Sequence, residues 1–103
     1  MTVHAEISIV PLGRHDTSMS KEVAAAFDAI HKIKNLKTKL TALGTQVEAK
    51  NLDSVLQAVE AAHEAAKSAG AKRVISTVRI DERLDKAQTL QDKVKSVKRK
   101  LKK

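Results

Sequence analysis

The chain reads as an α+β protein of ferredoxin-like βαββαβ topology: a four-stranded antiparallel sheet with a helix added at the C-terminal end. Three observations predict this. Two stretches, Val3 to Val10 and Arg73 to Arg83, alternate between apolar and polar residues as half-buried strands do. Two longer stretches between them repeat apolar residues at helical spacing. The resulting order, strand, helix, strand, strand, helix, strand, is the split βαβ pattern.

In the first strand Val3, Ala5, Ile7 and Ile9 form one face, and His4, Glu6 and Ser8 the other. Pro11 and Gly13 are expected to end it, with a loop from Leu12 to Met19. Ser18 or Ser20 is the expected N-cap of the first helix, whose hydroxyl would bond a free backbone N–H. Val23, Ala26, Phe27, Ile30 and Ile33 follow as its buried side, and Phe27, the only aromatic residue, is assigned to the core. Leu36–Thr41 and Thr45–Ala49 read as two short strands. Gly44 lies at their reversal, where a positive φ would suit a tight turn. Asn51 or Asp53 starts the second helix, with Leu52, Val55, Val59, Ala62, Ala66 and Ala69 as its stripe and Gly70 as the C′ residue. In the last strand Val74, Val78 and Ile80 suit the core, with Ser76 among them. Asp85 is the expected cap of a third helix over about residues 86–101, along which Leu90, Val94, Val97 and Leu101 make a narrow apolar line.

Both helices should cover one face of the sheet, with the first and third strands central. That sets His4, Glu6, Ser8, Thr77 and Arg79 together on the uncovered face. Exposed apolar groups on such a face mark an interface, so the sheet is expected to join copies of the chain, and the third helix to pack on the body or on a neighbouring subunit.

The 103 residues fit one domain, residues 1–103. The composition narrows the functions. There is no cysteine, and the four histidines are scattered without metal-ligand spacing, so no metal site is expected. No stretch is long and apolar enough to cross a membrane, and no basic-then-apolar leader opens the chain, which points to the cytoplasm. The net charge is +8, but seven of the 20 Lys and Arg residues lie from Lys93 onward, leaving 13 against 12 acidic residues. The excess is thus a terminal feature. RNA-binding domains of this topology stack bases on sheet aromatics, and this sheet has none, which argues against nucleic acid. Phosphate loops, nucleophile elbows and Cys–His pairs are absent, so the chain is not read as an enzyme.

Several stretches together resemble the small thiamine-binding protein family, also called YkoF-like. They are Ile9-Val10-Pro11-Leu12-Gly13 with Thr17-Ser18-Met19-Ser20, the hairpin Gly44-Thr45-Gln46-Val47-Glu48-Ala49, Val78-Arg79-Ile80-Asp81-Glu82-Arg83, and Asp92-Lys93-Val94-Lys95-Ser96-Val97. The resemblance covers nearly the whole chain. Position 79 carries Arg where Lys is common in such proteins, and the charge is kept. The resemblance implies a ferredoxin-like subunit assembled as a homodimer or homotetramer. It also implies binding of thiamine or its hydroxymethylpyrimidine fragment, with no other cofactor and no catalysis.

The family positions then suggest a site. Thr17, Ser18 and Ser20 at the helix start, Thr45 and Glu48 on the hairpin, and Thr77 on the last strand are the expected ligand contacts. The hydroxyls and free helix N–H groups would orient the pyrimidine, and Glu48 would face the cationic thiazolium. The competing reading of Glu48 is a salt bridge across the sheet to a Lys or Arg. Arg79, Asp81 and Arg83 could form an anion site, but they are expected instead to make an ion-pair network at a subunit interface or at the strand end. The alternative function is a basic structural or interaction protein with weak, non-specific affinity for nucleic acid through its lysine-rich end.

Overall fold

The computed structural model describes residues 2–13 and 17–101. Its elements run β1 (Val3–Leu12), α1 (Ser20–His31), β2 (Lys37–Thr41), β3 (Gly44–Ala49), α2 (Leu52–Ser68), β4 (Arg73–Glu82) and α3 (Leu90–Leu101). The strands form one sheet in the order β2-β3-β1-β4, and every neighbouring pair is antiparallel. This is the expected α+β arrangement, with β1 and β3 central and β4 beside β1.

β1 is the axis of the sheet. Val3, Ala5, Ile7 and Ile9 are buried against α1 and α2, whose own contributions include Ala26, Ile30, Val55, Ala58, Ala62 and Ala66. The small alanines of α2 let the helix lie close to the sheet. Leu52, expected in the α2 stripe, is exposed instead, and Ala58 takes a core position. β1 does not stop at Pro11. It continues to Leu12, because its pairing with β3 ends at Ile7 and only β4 lines its final residues. A residue without an N–H is tolerated where one side of a strand has no ladder to serve.

Gly44 also differs from expectation. Its φ is not positive. A Cβ there would lie 2.7 Å from the carbonyl oxygen of Ile7. The glycine therefore serves close approach of β3 to β1, not turn geometry. The reversal itself is made by Ala42 and Leu43, and Thr41 Oγ1 donates to the Gly44 carbonyl at 2.8 Å.

Capping is mixed. α2 starts as expected at Asn51, whose extended backbone lets its side-chain oxygen accept from the Ser54 N–H at 2.9 Å. It ends in a Schellman motif: Gly70 takes φ +108, its N–H bonds the Lys67 carbonyl, and Ala71 N–H bonds that of Ala66. α1 departs from expectation. Its N-cap is Met19, with no side-chain cap bond, and Ser20 is already the first helical residue. Asp85 does not cap α3. It holds Arg83 through two contacts, 2.6 and 3.0 Å, and α3 begins later. There Thr89 and Asp92 form a reciprocal capping box: each side chain accepts from the other's N–H at 3.0 Å.

Three assignments at the core margin change. Phe27 is half-buried, outside the core, and its ring stacks on His31 with centroids 5.5 Å apart. Ile80 is 46% exposed, because β4 is an edge strand and α2 reaches only its first part. Ser76 sits in an otherwise apolar row because its hydroxyl bonds His63 Nδ1 at 2.6 Å, which ties α2 to β4.

We expect Gly44→Ala to destabilise the fold by about 1–3 kcal/mol, since the obstructing atom is backbone and cannot rotate away. Leu43→Ala, one residue away and exposed, should stay within about 0.5 kcal/mol. Urea denaturation of the two variants checks this.

Candidate functional site

The face of the sheet turned away from α1 and α2 carries the chemistry. Cross-strand register sorts it into rows. Lys37, Glu48, His4 and Asp81 form one row across β2, β3, β1 and β4. Lys39, Gln46, Glu6 and Arg79 form the next. Ser8 and Thr77 follow, and then Val10 and Ile75. The expected grouping of His4, Glu6, Ser8, Thr77 and Arg79 is therefore present, and Gln46 joins it.

The start of α3 lies over the first row. The Leu90 N–H donates to Glu48 Oε1 at 2.8 Å, Lys93 pairs with Asp81, and Thr2 Oγ1 donates to the Gln88 carbonyl at 2.6 Å. Glu48 thus sits at the positive end of a helix dipole, where a carboxylate is stabilised. Its other oxygen lies 3.7 Å from Lys37 Nζ, so the cross-sheet salt bridge is also present. The row is buried at its centre: His4 is 5% exposed. His4 Nε2 stands 3.8 Å from Glu48 Oε1, beyond hydrogen-bond reach, and has no hydrogen-bond partner among the described residues.

Beside α3 this face opens into a cavity of about 370 Å³. His4, Glu6, Gln46, Arg79, Asp81, Leu90 and Lys93 line it. That volume falls at the lower end of the range for small-molecule sites, roughly 300–1,000 Å³. Its groups include an amide that donates and accepts, a carboxylate, an imidazole and a guanidinium. Among the described residues no three His, Cys, Asp or Glu side chains are grouped to hold a metal.

The six expected ligand contacts do not meet in one cavity of the subunit. Thr17 and Ser18 lie beside a cavity of about 290 Å³ with Val10 to Gly13, at the opposite end of β1 from His4. Ser20 is exposed at the start of α1. Thr45 is buried on the helix-covered face and lines an apolar cavity of about 190 Å³ with Met19 and Val23. Glu48 is on the other face, since an odd separation of three along a strand reverses the side. Thr77 is exposed on the open face opposite Ser8. Arg79 and Asp81 share that face, Arg83 lies just beyond the strand, and the three form no network. Asp81 is taken by Lys93, Arg83 by Asp85, and Arg79 has no ion-pair partner among the described residues. Gln46 could have been found from its spacing of two from Glu48. Leu90 and Lys93 had no such signal, because only the packing of α3 brings them here.

Besides Glu48, two carboxylates hold the first turn of α3. The Lys93 ammonium keeps the Asp81 carboxyl below its ordinary value of 3.8, first through the hydrogen bond and then through charge. Asp92 is held down by the Thr89 N–H and hydroxyl. Carboxyls lowered on folding contribute stability above the ordinary aspartate range and lose it as pH falls through their folded values. The Asp81 and Asp92 contacts should therefore be intact at pH 7 and down to about pH 4, and should release in stronger acid. Glu48→Ala should loosen α3 at neutral pH, speeding exchange of the Leu90 amide about tenfold while the amides of α2 are unchanged. Hydrogen exchange followed by NMR reads both effects.

Comparison with known proteins places the chain. The thiamine-binding protein family pattern matches residues 5–98. A UPF0045 protein from Methanothermobacter thermautotrophicus is 46% identical over 99 residues, covering 96% of this chain and 99% of that one. The crystal structure of a hypothetical protein from Methanocaldococcus jannaschii superimposes with a TM-score of 0.85 at 39% identity, over 94% of this chain and 96% of that one. A Thermotoga maritima structure, named for thiamine biosynthesis or salvage, matches with a TM-score of 0.74 at 22% identity, over 94% of this chain and 99% of the other, a likeness of fold alone. With the family pattern running from near the start of β1 to the last turn of α3, the chain belongs to the thiamine-binding protein family.

Proposed function

We propose that this chain binds a small aminopyrimidine, thiamine or its hydroxymethylpyrimidine fragment, in the open-face cavity and without catalysis. One observation carries the reading: a nine-tenths-buried His4 with an unpartnered ring nitrogen lines a cavity beside Gln46 and Glu6. A buried polar group without a hydrogen bond is costly, and a small turn of the ring would bring the nitrogen within reach of a ligand atom in the cavity. An aminopyrimidine presents alternating donors and acceptors, which His4, Gln46 and Glu6 complement. Glu6 has no ion-pair partner among the described residues, so it takes the role of counter-charge to a thiazolium that Glu48 cannot fill while it holds α3. Family membership supports the same ligand class.

Self-association accompanies this reading. α3 has no buried residue, and Val94, Val97 and Leu101 are 52%, 59% and 69% exposed along one side. A second copy of the chain would cover these apolar groups. No helix among the described residues is long and apolar enough to cross a membrane, and a cytoplasmic setting fits the lack of cysteine.

Calorimetric titration tests the ligand. Thiamine and hydroxymethylpyrimidine should both bind saturably, and Glu6→Gln should weaken thiamine about tenfold and the uncharged fragment less. If neither binds the folded protein at millimolar concentration, the reading fails. Light scattering tests assembly: the wild type should be a multimer and Val94→Asp with Val97→Asp should lower its mass, whereas a wild-type monomer contradicts the proposal.

A further inference from the structure

We propose that the physiological ligand of the open-face cavity carries an anionic arm, a phosphate monoester, and that Arg79 receives it. This rests on the aminopyrimidine reading of the same cavity and narrows it to the phosphorylated form.

The argument is one of charge along two adjacent rows. The first row is neutralised within the protein: Lys37 lies by Glu48, and Lys93 pairs with Asp81. The second row is not. It runs Lys39, Gln46, Glu6, Arg79, with a cation at each end and one carboxylate between. None of these three charges has an ion-pair partner among the described residues, although Glu6 and Arg79 are directly opposite across β1 and β4. Both Glu6 and Arg79 line the cavity, with buried His4 at its inner end.

A ligand with only a cationic ring would satisfy Glu6 and leave the guanidinium unused beside it, adding a third positive charge to the row. A ligand with a cationic ring and an anionic arm balances both. The planar fork of an arginine matches two phosphate oxygens at once, and with Lys93 taken by Asp81, Arg79 is the cation of the lining left to do so. Of the sequence readings of Arg79, an anion site or an ion-pair network, its place on the cavity wall without an ion-pair partner among the described residues favours the first.

Titration of the full-length chain with thiamine, thiamine monophosphate and inorganic phosphate, at fixed salt, tests this. The monophosphate should bind about tenfold more tightly than thiamine. Arg79→Gln should erase that advantage, read as the ratio of the two affinities, and Arg79→Lys should keep part of it. Glu6→Gln should weaken both ligands by the same factor. Circular dichroism confirms that these exposed-face variants fold. Equal affinity of the wild type for thiamine and its monophosphate overturns the phosphate arm while leaving aminopyrimidine binding in place. An advantage that survives Arg79→Gln, or inorganic phosphate binding as tightly as the monophosphate, overturns the role given to Arg79. Failure of both thiamine compounds to bind overturns the aminopyrimidine reading and this one with it.

Discussion

The two-residue period of β1 is the constraint on which the structure depends. β1 is paired on both sides, so its register with β3 and β4 is passed to every other strand. Val3, Ala5, Ile7 and Ile9 must all face the helices, because burying a Val or Ile side chain is worth about 1.5–3 kcal/mol. A slip of one residue would turn all four to the open face and put His4, Glu6 and Ser8 into the core. The same alternation that builds the core therefore delivers an ordered set of polar groups to the other side. Core and site are the two faces of one strand.

α3 shows how that polar face is used. It contributes no buried side chain, and it is attached through the Leu90 N–H on Glu48, Lys93 on Asp81 and Gln88 on Thr2. These ties turn a flat strand surface into a walled cavity. They also explain a carboxylate in a central strand: Glu48 receives a helix N-terminus and a lysine, which compensates its loss of water. The apolar side of α3 then remains exposed.

Much of the fold was legible because it obeys local rules. Element order, the central strands, the Asn51 cap and the Gly70 stop follow from periodicity and turn chemistry. The errors have local causes too. Ser18 and Ser20 are competent caps, but the backbone at Met19 starts the helix without one. Gly44 was read through its own φ, whereas the reason for glycine there is the Ile7 carbonyl on another strand. Asp85 has the right side chain for a cap, but Arg83 two residues away takes it first. The site was less legible. Thr45 and Glu48 lie on opposite faces, which their spacing of three already implied, and the hydroxyls near α1 sit at the far end of β1.

By itself, then, the sequence determined which residues alternate, and so which side chains share the open face: His4, Glu6, Ser8, Thr77, Arg79 and, by the same rule, Gln46. Periodicity is a property of the chain alone. What only the tertiary structure decided is which of those groups remain unsatisfied. Glu48 and Asp81 are occupied because α3 folds back across them, and Glu6 and Arg79 are left over because it reaches no further. Partner choice depends on distances between segments about 40 residues apart in sequence, and no local pattern encodes those.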